Sequence, residues 1–343
     1  MVPTHSDLTA LRREYLFSTP FHVERFLTDG RDAPLAYLMF NMCLLSLPAA
    51  VCVVWLNSHW VGPLYWAVNA LVFQERFLLG LHFFSHRRLF KNDALNQALA
   101  LVLPPLFGLP WGVYRIHHVL MHHSGNNGAG MDLSSTEPYQ RDSFLQFLCY
   151  WLRFLFGIWV ELPYNSFARG ELAGAKHAAV CIVSYWASVL CLYPLAPHGV
   201  FWVLMWPLIP TSFALMLGNW CQHMFITPGK NRSNYHLAYN VINTPSNQRS
   251  FNDGYHAEHH VKGTLHWSEL PANFMRNIDR YREEDAVVFQ GTDFIAVGAL
   301  VFLGRYDKLA KALYPVRRVR SASETEQFLK ERLKPITGPS TTA

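Results

Sequence analysis

Charge is scarce in this chain. Asp, Glu, Lys and Arg together make up only 15% of 343 residues, too little to coat the water-facing surface of a protein this long. The six cysteines, Cys43, Cys52, Cys149, Cys181, Cys191 and Cys221, never stand in a Cys-x-x-Cys pair. That excludes zinc ribbons and dithiol redox motifs, and leaves the thiols as reduced small hydrophobes in apolar segments. The first 34 residues are polar and lack the apolar core of a signal peptide, so no cleavage is expected. There are no internal repeats and no linker marking a second domain. The short basic run from Arg317, "RRVR", suits anionic lipid headgroups, and no nucleic-acid partner is expected.

Apolar residues are abundant: 51% of the chain is hydrophobic and 15% is aromatic. The mean hydropathy is nevertheless only +0.07, because polar stretches at 1–34, 113–143 and 226–291 dilute the apolar runs. A bilayer core of about 30 Å takes about 20 apolar helical residues to cross. Four stretches meet that length or approach it, at 35–56, 61–81, 178–193 and 200–220. They form two helical hairpins, the first joined by "NSHW" and the second by "PLAPHG". Neither turn carries Lys or Arg, whereas Arg12, Arg13, Arg25, Arg87, Arg88, Lys91, Lys176, Lys230 and Arg232 flank the other ends. The positive-inside rule then puts both termini in the cytoplasm.

Three further apolar stretches fit a span poorly. "ALNQALALVLPPLFGLPWGV" (94–113) holds three prolines, "FLQFLCYWLRFLFGIWVELP" (144–163) carries Arg153, and "FIAVGALVFLG" (294–304) is short. They are read as helices in the cytoplasmic interface. The expected fold is an all-α integral membrane protein of one domain, 1–343, with four transmembrane helices in two hairpins. Residues 82–177 and 221–316 form a histidine-rich helical cap on the cytoplasmic side, and 317–343 a weakly structured tail.

The histidines are not scattered evenly. His82-x-x-x-His86 stands at the end of the second span, and His118-x-x-x-His122-His123 in the polar region after it. Asn219-x-x-x-His223 closes the fourth span, and His256-x-x-His259-His260 follows. All four clusters lie on one side of the membrane in this topology. On a helix, residues three or four apart share a face with Cβ atoms about 5–6 Å apart, so each cluster presents a ligand edge, with His123 turned elsewhere toward a second ion. Nine imidazoles exceed what one metal takes, and two metals are the economical reading. Iron and copper suit an imidazole shell with positions open for oxygen, while zinc would bind without redox chemistry.

Other residues carry weaker signals. A lone histidine at a helix end is ordinarily interfacial, and His5, His22, His59, His117, His177, His198, His236 and His266 show no ligand pattern. Of these His117 is the candidate for orienting a ligand, and His59 and His198 lie in the opposite turns. Glu75 and Arg76 sit inside the second span, where charge is expensive; they form a structural ion pair or serve the site or its substrate. Asp132, and with it Glu137, either orients a ligand histidine or caps a loop.

The set HFFSH (82–86), HHVLMHH (117–123) and HAEHH (256–260), in this order between paired spans, resembles the membrane-bound fatty acid desaturases and hydroxylases, whose histidine boxes hold a non-haem di-iron centre. Asn219-Trp-Cys-Gln-His223 strengthens the likeness, since acyl desaturases carry a histidine there with an asparagine one turn earlier. The resemblance implies His82, His86, His118, His122, His123, His223, His256, His259 and His260 as ligands of two irons, with Asn219 approaching a metal through water. The second box is one residue longer than the commonest His-x-x-His-His. No His-Pro-Gly-Gly haem motif is present, so electrons come from a separate donor, cytochrome b5 or a ferredoxin with its reductase.

What the likeness implies is O2-dependent oxidation of a long-chain fatty acid or acyl thioester, with desaturation favoured. Hydroxylation and alkene-forming decarboxylation fit the same ligand set. It also implies a multi-pass protein of the endoplasmic reticulum in a eukaryote or of the inner membrane in a bacterium, among membrane lipids. Two other classes compete. A membrane cytochrome needs histidine pairs mid-span, which are lacking, and a zinc-stabilised receptor or scaffold needs three or four ligands rather than nine.

Overall fold

The computed structural model describes residues 22–228 and 233–336. Arg12, Arg13, Lys230, Arg232 and the end of the tail lie outside the described residues. The chain is mostly helix, as expected. Among the described residues the only strands are β1 (Asn240–Ile242) and β2 (Val288–Gln290), which pair in parallel with Asn240 opposite Val288 and Ile242 opposite Gln290.

Among the described residues four helices are long and apolar enough to cross a membrane: Gly30–Leu56, Phe144–Ala168, Leu172–Leu192 and Pro197–Gln222. Three cover, to within a residue, the spans expected at 35–56, 178–193 and 200–220. The fourth arises from the stretch 144–163, expected at the interface. The stretch expected as a span at 61–81 is also helical, in the consecutive segments Val61–Asn69, Ala70–Gln74 and Glu75–His86; Gln74, Glu75 and Arg76 leave it outside the apolar four. The first helix ends at Leu56 because Asn57 turns left-handed, with φ 47°, a conformation asparagine tolerates. The stretch 94–113 is not one helix. Asp93–Val102 stops before the prolines, which make a 3-10 turn, Pro104–Phe107, since proline lacks the N–H a continuing helix needs.

The described residues fall into two compact units, one drawn from residues 22–120 together with Gly157–Ala214, the other from Met121–Phe156 together with residues 215–228 and 233–336. In the first, Tyr185, Val189, Ala196 and Val200 form a buried cluster against Val54, Trp111, Trp186, Leu204 and Met205. Ser46 donates to Asn69 Oδ1 at 2.7 Å, and Asn69 donates to the Leu106 carbonyl. Gly108 has φ +71°, and a Cβ there would fall 2.3 Å from the Leu208 nitrogen, so only glycine permits this approach. The outer surface is apolar, with Trp60 at 85% and Leu71 at 88% exposure.

The second unit consists largely of short helices around polar groups. Arg141 is wholly buried, and its guanidinium donates to the carbonyls of Thr136, Glu137, Tyr139, Met224, Arg332 and Lys334. The tail, expected as weakly structured, forms a helix over Ala322–Glu331 with a reciprocal Ser321–Glu324 capping box. Part of its basic run is paired: Arg320 meets Asp285 at 2.5 Å and Arg318 meets Glu324 at 3.2 Å.

Candidate metal centre

The last histidine box forms the short helix His256–Val261, held in place from several sides. The Gly254 carbonyl accepts from Val241 N of β1 at 2.7 Å, and the Asn240 side chain accepts from Ala257 N at 2.9 Å. A Cβ on Gly254 would meet Asn247 Oδ1 at 2.1 Å, so glycine is what lets this turn close. Glu258, wholly buried, accepts from Asn273 and Asn277. Burial raises its pKa, opposed by the hydrogen bonds from Asn273, Tyr281 and Asn277. It therefore anchors one side of the helix while His256 and His260 share the other.

His122, His223, His256 and His260 are all buried, and their ligand nitrogens lie within 4.8 Å of one another. His256 Nε2 is 3.1 Å from His223 Nε2 and 3.2 Å from His260 Nε2. His122 Nδ1 meets Asp132 Oδ2 at 2.7 Å, and His223 Nδ1 donates to the Leu237 carbonyl at 2.8 Å. These acceptors hold each ring by its Nδ1, the orientation usual for an imidazole that binds a metal through Nε2. One proton on His256 Nε2 can serve one neighbour, not two. An ion about 2 Å from each nitrogen sets neighbouring ligands about 3 Å apart, close to the spacing seen.

Electrostatics point the same way. Burial, reinforced by the neighbouring His122, pushes His223 down to about 3. Burial first, and then His123, His256, His223 and His122, hold His260 well below the usual imidazole range. Neutral imidazoles keep their lone pairs for a cation. Asp132 thus orients His122, and it also holds its own loop, accepting from Ser134 N and Ser134 Oγ.

The remaining predicted ligands group by unit. In the second unit His123 and His259 approach with Nε2 atoms 3.0 Å apart. In the first, the ring of His118 lies 4.5 Å from that of His82 and 5.0 Å from that of His86, with Tyr114 stacked on His118 at 5.4 Å. The segment Ile116–His122 is π-helical, and residues four apart on it still lie on nearly one face; the ring of His118 stands with those of His82 and His86, and that of His122 with those of His223 and His260. A π turn is wider than an α turn, which accommodates the extra residue of this box. His117 is buried on the same segment, and it is His118 that stands with the first-box rings. Glu75 is exposed at the start of the Glu75–His86 helix.

Asn219, one turn before His223, donates through Nδ2 to the Ser134 carbonyl at 3.0 Å and to Tyr150 Oη at 2.7 Å. Sequence reasoning missed Tyr150, Ser134 and Glu258. Glu258 lies inside the box yet faces away from the histidines, and nothing in the spacing of Tyr150 or Ser134 links either to the site. Asp253 was missed too: it accepts from Gln222 at 2.7 Å and its Oδ1 lies 3.9 Å from His256 Nδ1.

The sequence pattern of the family described as "Fatty acid desaturase" matches residues 58–292, a stretch holding all nine histidines predicted as ligands. The chain belongs to the fatty acid desaturase family. Comparison with curated proteins gave no match, and neither did comparison with solved structures. Membership makes this desaturase-family chain an oxidoreductase of fatty acyl substrates in general terms. Enzymes of the family typically use iron, and the buried histidine cluster is suited to a metal.

Proposed function

We propose that the protein uses two irons and O2 to oxidise a long-chain fatty acyl substrate, with desaturation as the reaction. The observation that carries this reading is the convergence of four buried imidazoles with an Asp132 carboxylate behind one of them. His122, His223, His256 and His260 would hold one iron. His82, His86, His118, His123 and His259 are the further ligands that the resemblance implies for the other, with Asn219 reaching a metal through water. When bound, the iron pair supplies activation of O2 and removal of hydrogen from an unactivated C–H bond.

The chain's own part is position and dryness. Burial of the ligand nitrogens excludes bulk water, and Asp132, the Leu237 carbonyl and the Glu258 anchor keep the imidazoles oriented without rearrangement during turnover. Desaturation takes two hydrogens from adjacent carbons. With O2, two electrons and two protons it gives a double bond and two waters, so a separate electron donor, cytochrome b5 or a ferredoxin with its reductase, completes the balance. The protein would be multi-pass, with its metal ligands and termini cytoplasmic, in the endoplasmic reticulum or a bacterial inner membrane.

Protein from iron-supplied cells is expected to hold close to two irons per chain. His259→Ala should lose iron and activity together; full activity in that variant, or zinc alone in the wild type, would remove the reading. Gas chromatography with mass spectrometry of lipids from an expressing host separates the outcomes. A product two mass units lighter supports desaturation. One sixteen heavier means hydroxylation, and a volatile terminal alkene one carbon shorter means decarboxylation.

A further inference from the structure

The Asn219 amide is locked by a residue with no place among the ligands. Tyr150 lies on the Phe144–Ala168 helix and is almost fully buried. Its hydroxyl accepts from Asn219 Nδ2 at 2.7 Å and donates to the Ser134 carbonyl at 3.2 Å. The same carbonyl accepts the second Asn219 N–H at 3.0 Å. A carbonyl oxygen only accepts, so the nitrogen of the amide must face it, and the orientation is set by the network rather than by choice. Both amide hydrogens are thereby consumed. Asn219 Oδ1 has no hydrogen-bond partner among the described residues, and it belongs to a side chain one turn from His223, on the same helix face.

Ser134 extends the connection. Its backbone N–H and hydroxyl hold Asp132 Oδ1 at 2.9 and 2.8 Å, and Asp132 Oδ2 meets His122 Nδ1 at 2.7 Å. One residue of the loop therefore ties Tyr150 and Asn219 to the carboxylate that orients His122. We propose that Tyr150 is a positioning residue: it fixes the Asn219 amide so that Oδ1, the acceptor end, would be presented to a water on the metal that the His223 cluster would hold. The proposal rests on the metal reading above.

Tyr150→Phe removes the hydroxyl and keeps the ring, which packs 5.2 Å from Trp220 and 6.4 Å from Phe147, so the fold should persist. The test loads wild type, Tyr150→Phe, Asn219→Ala and the double variant with cobalt(II), and records the visible absorption and the metal content. In Tyr150→Phe the cobalt bands should shift as they do in Asn219→Ala, with the melting temperature lowered by only a few degrees. The double variant should add nothing to Asn219→Ala, since two residues acting through one atom are not additive. With iron, kcat should fall about 10- to 100-fold, the usual range for a residue that orients a metal site, while KM stays as in the wild type. Cobalt bands in Tyr150→Phe identical to wild type, or effects in the double variant that sum, overturn the proposal. Should Tyr150→Phe not fold, Asn219→Ala alone decides: an unmoved spectrum there also overturns it. Absence of iron from the wild type with an altered cobalt spectrum in both variants would instead count against the iron reading and leave the positioning role standing.

Discussion

The two compact units treat polarity in opposite ways. In the unit that holds His82, His86 and His118, large apolar side chains face outward: Trp55, Trp60, Leu64, Leu71, Val183, Leu190 and Leu195 are all exposed. Its buried polar residues are mostly neutral, and Asn69 and Ser46 satisfy one another. In the unit that holds His122, His223, His256 and His260, the buried set includes Asp132, Arg141, Asp253 and Glu258. The first is organised for an apolar solvent, where outward leucines cost nothing. The second is organised like a water-soluble catalytic cap, where each buried charge must find its own partners.

Breaking a buried charge in the second unit should therefore have the largest effect. Arg141 caps carbonyls from three separate stretches, 136–139, Met224 and 332–334, with no carboxylate in contact among its bonds. Burial lowers its pKa to about 9, opposed by Glu137 and Asp142. Arg141→Met strips several buried acceptors at once, each worth about 1–3 kcal/mol when left unsatisfied. The melting midpoint in detergent should drop by roughly 6 °C or more, and Arg141→Lys, which cannot reproduce the planar fork, should recover little of it. A midpoint within about 2 °C of wild type would mean that the carbonyl cage is not needed.

The histidine cluster supplies a second, smaller contrast. His223 and His260 have folded pKa values below the unfolded one, His223 at about 3. Above the ordinary imidazole range both states are neutral and contribute no pH dependence. As pH falls through that range toward 3 the unfolded chain takes up protons that the folded chain refuses, so stability falls. Metal-free protein should lose thermal stability steadily between about pH 6.5 and pH 4, and His223→Gln should flatten that slope. An unchanged slope in the variant would show that other groups govern it.

Much of the site was readable in the sequence, because ligand spacing on a helix is a local property. The boxes gave His82 with His86 and His256 with His260 directly. The second box carries one residue more than the commonest pattern, and nothing in its spacing announced that the chain runs as a π-helix over Ile116–His122. The helices around Arg141 and the Tyr150–Asn219–Ser134 network were not legible, since they join residues 69 to 193 positions apart. The tail helix had a local signal, Ser321 followed three residues later by Glu324, that composition alone concealed.

The sharpest form of the comparison concerns which helices cross the bilayer. His122 lies beside His223, with rings 4.9 Å apart, so both are on one side, and an even number of the three candidates between them must cross. In the other unit Asn57 Oδ1 accepts from His198 N at 2.9 Å and Gly199 N at 3.1 Å, so residues 57 and 198 also share a side. Phe144–Ala168 carries Arg153 and Glu161, and Tyr150 and Arg153 donate to the carbonyls of Ser134 and Leu133 in the cluster's own loop. On the proposed multi-pass arrangement this helix would stay at the level of the cluster while Leu172–Leu192 and Pro197–Gln222 would cross. The Asn57–His198 contact would then require one more crossing, by 61–86, despite its Gln74-Glu75-Arg76. Cysteines placed singly at Ser58 and Leu195 in a cysteine-free background should label from the same side, opposite to one at Lys311. Gly199 itself is unsuitable, since a Cβ there would meet Val54 at 2.5 Å. A cysteine at Tyr164, 65% exposed, should report from the same side as Lys311; labelling of Tyr164 from the side of Ser58 would mean that Phe144–Ala168 crosses and that one of its two successors does not.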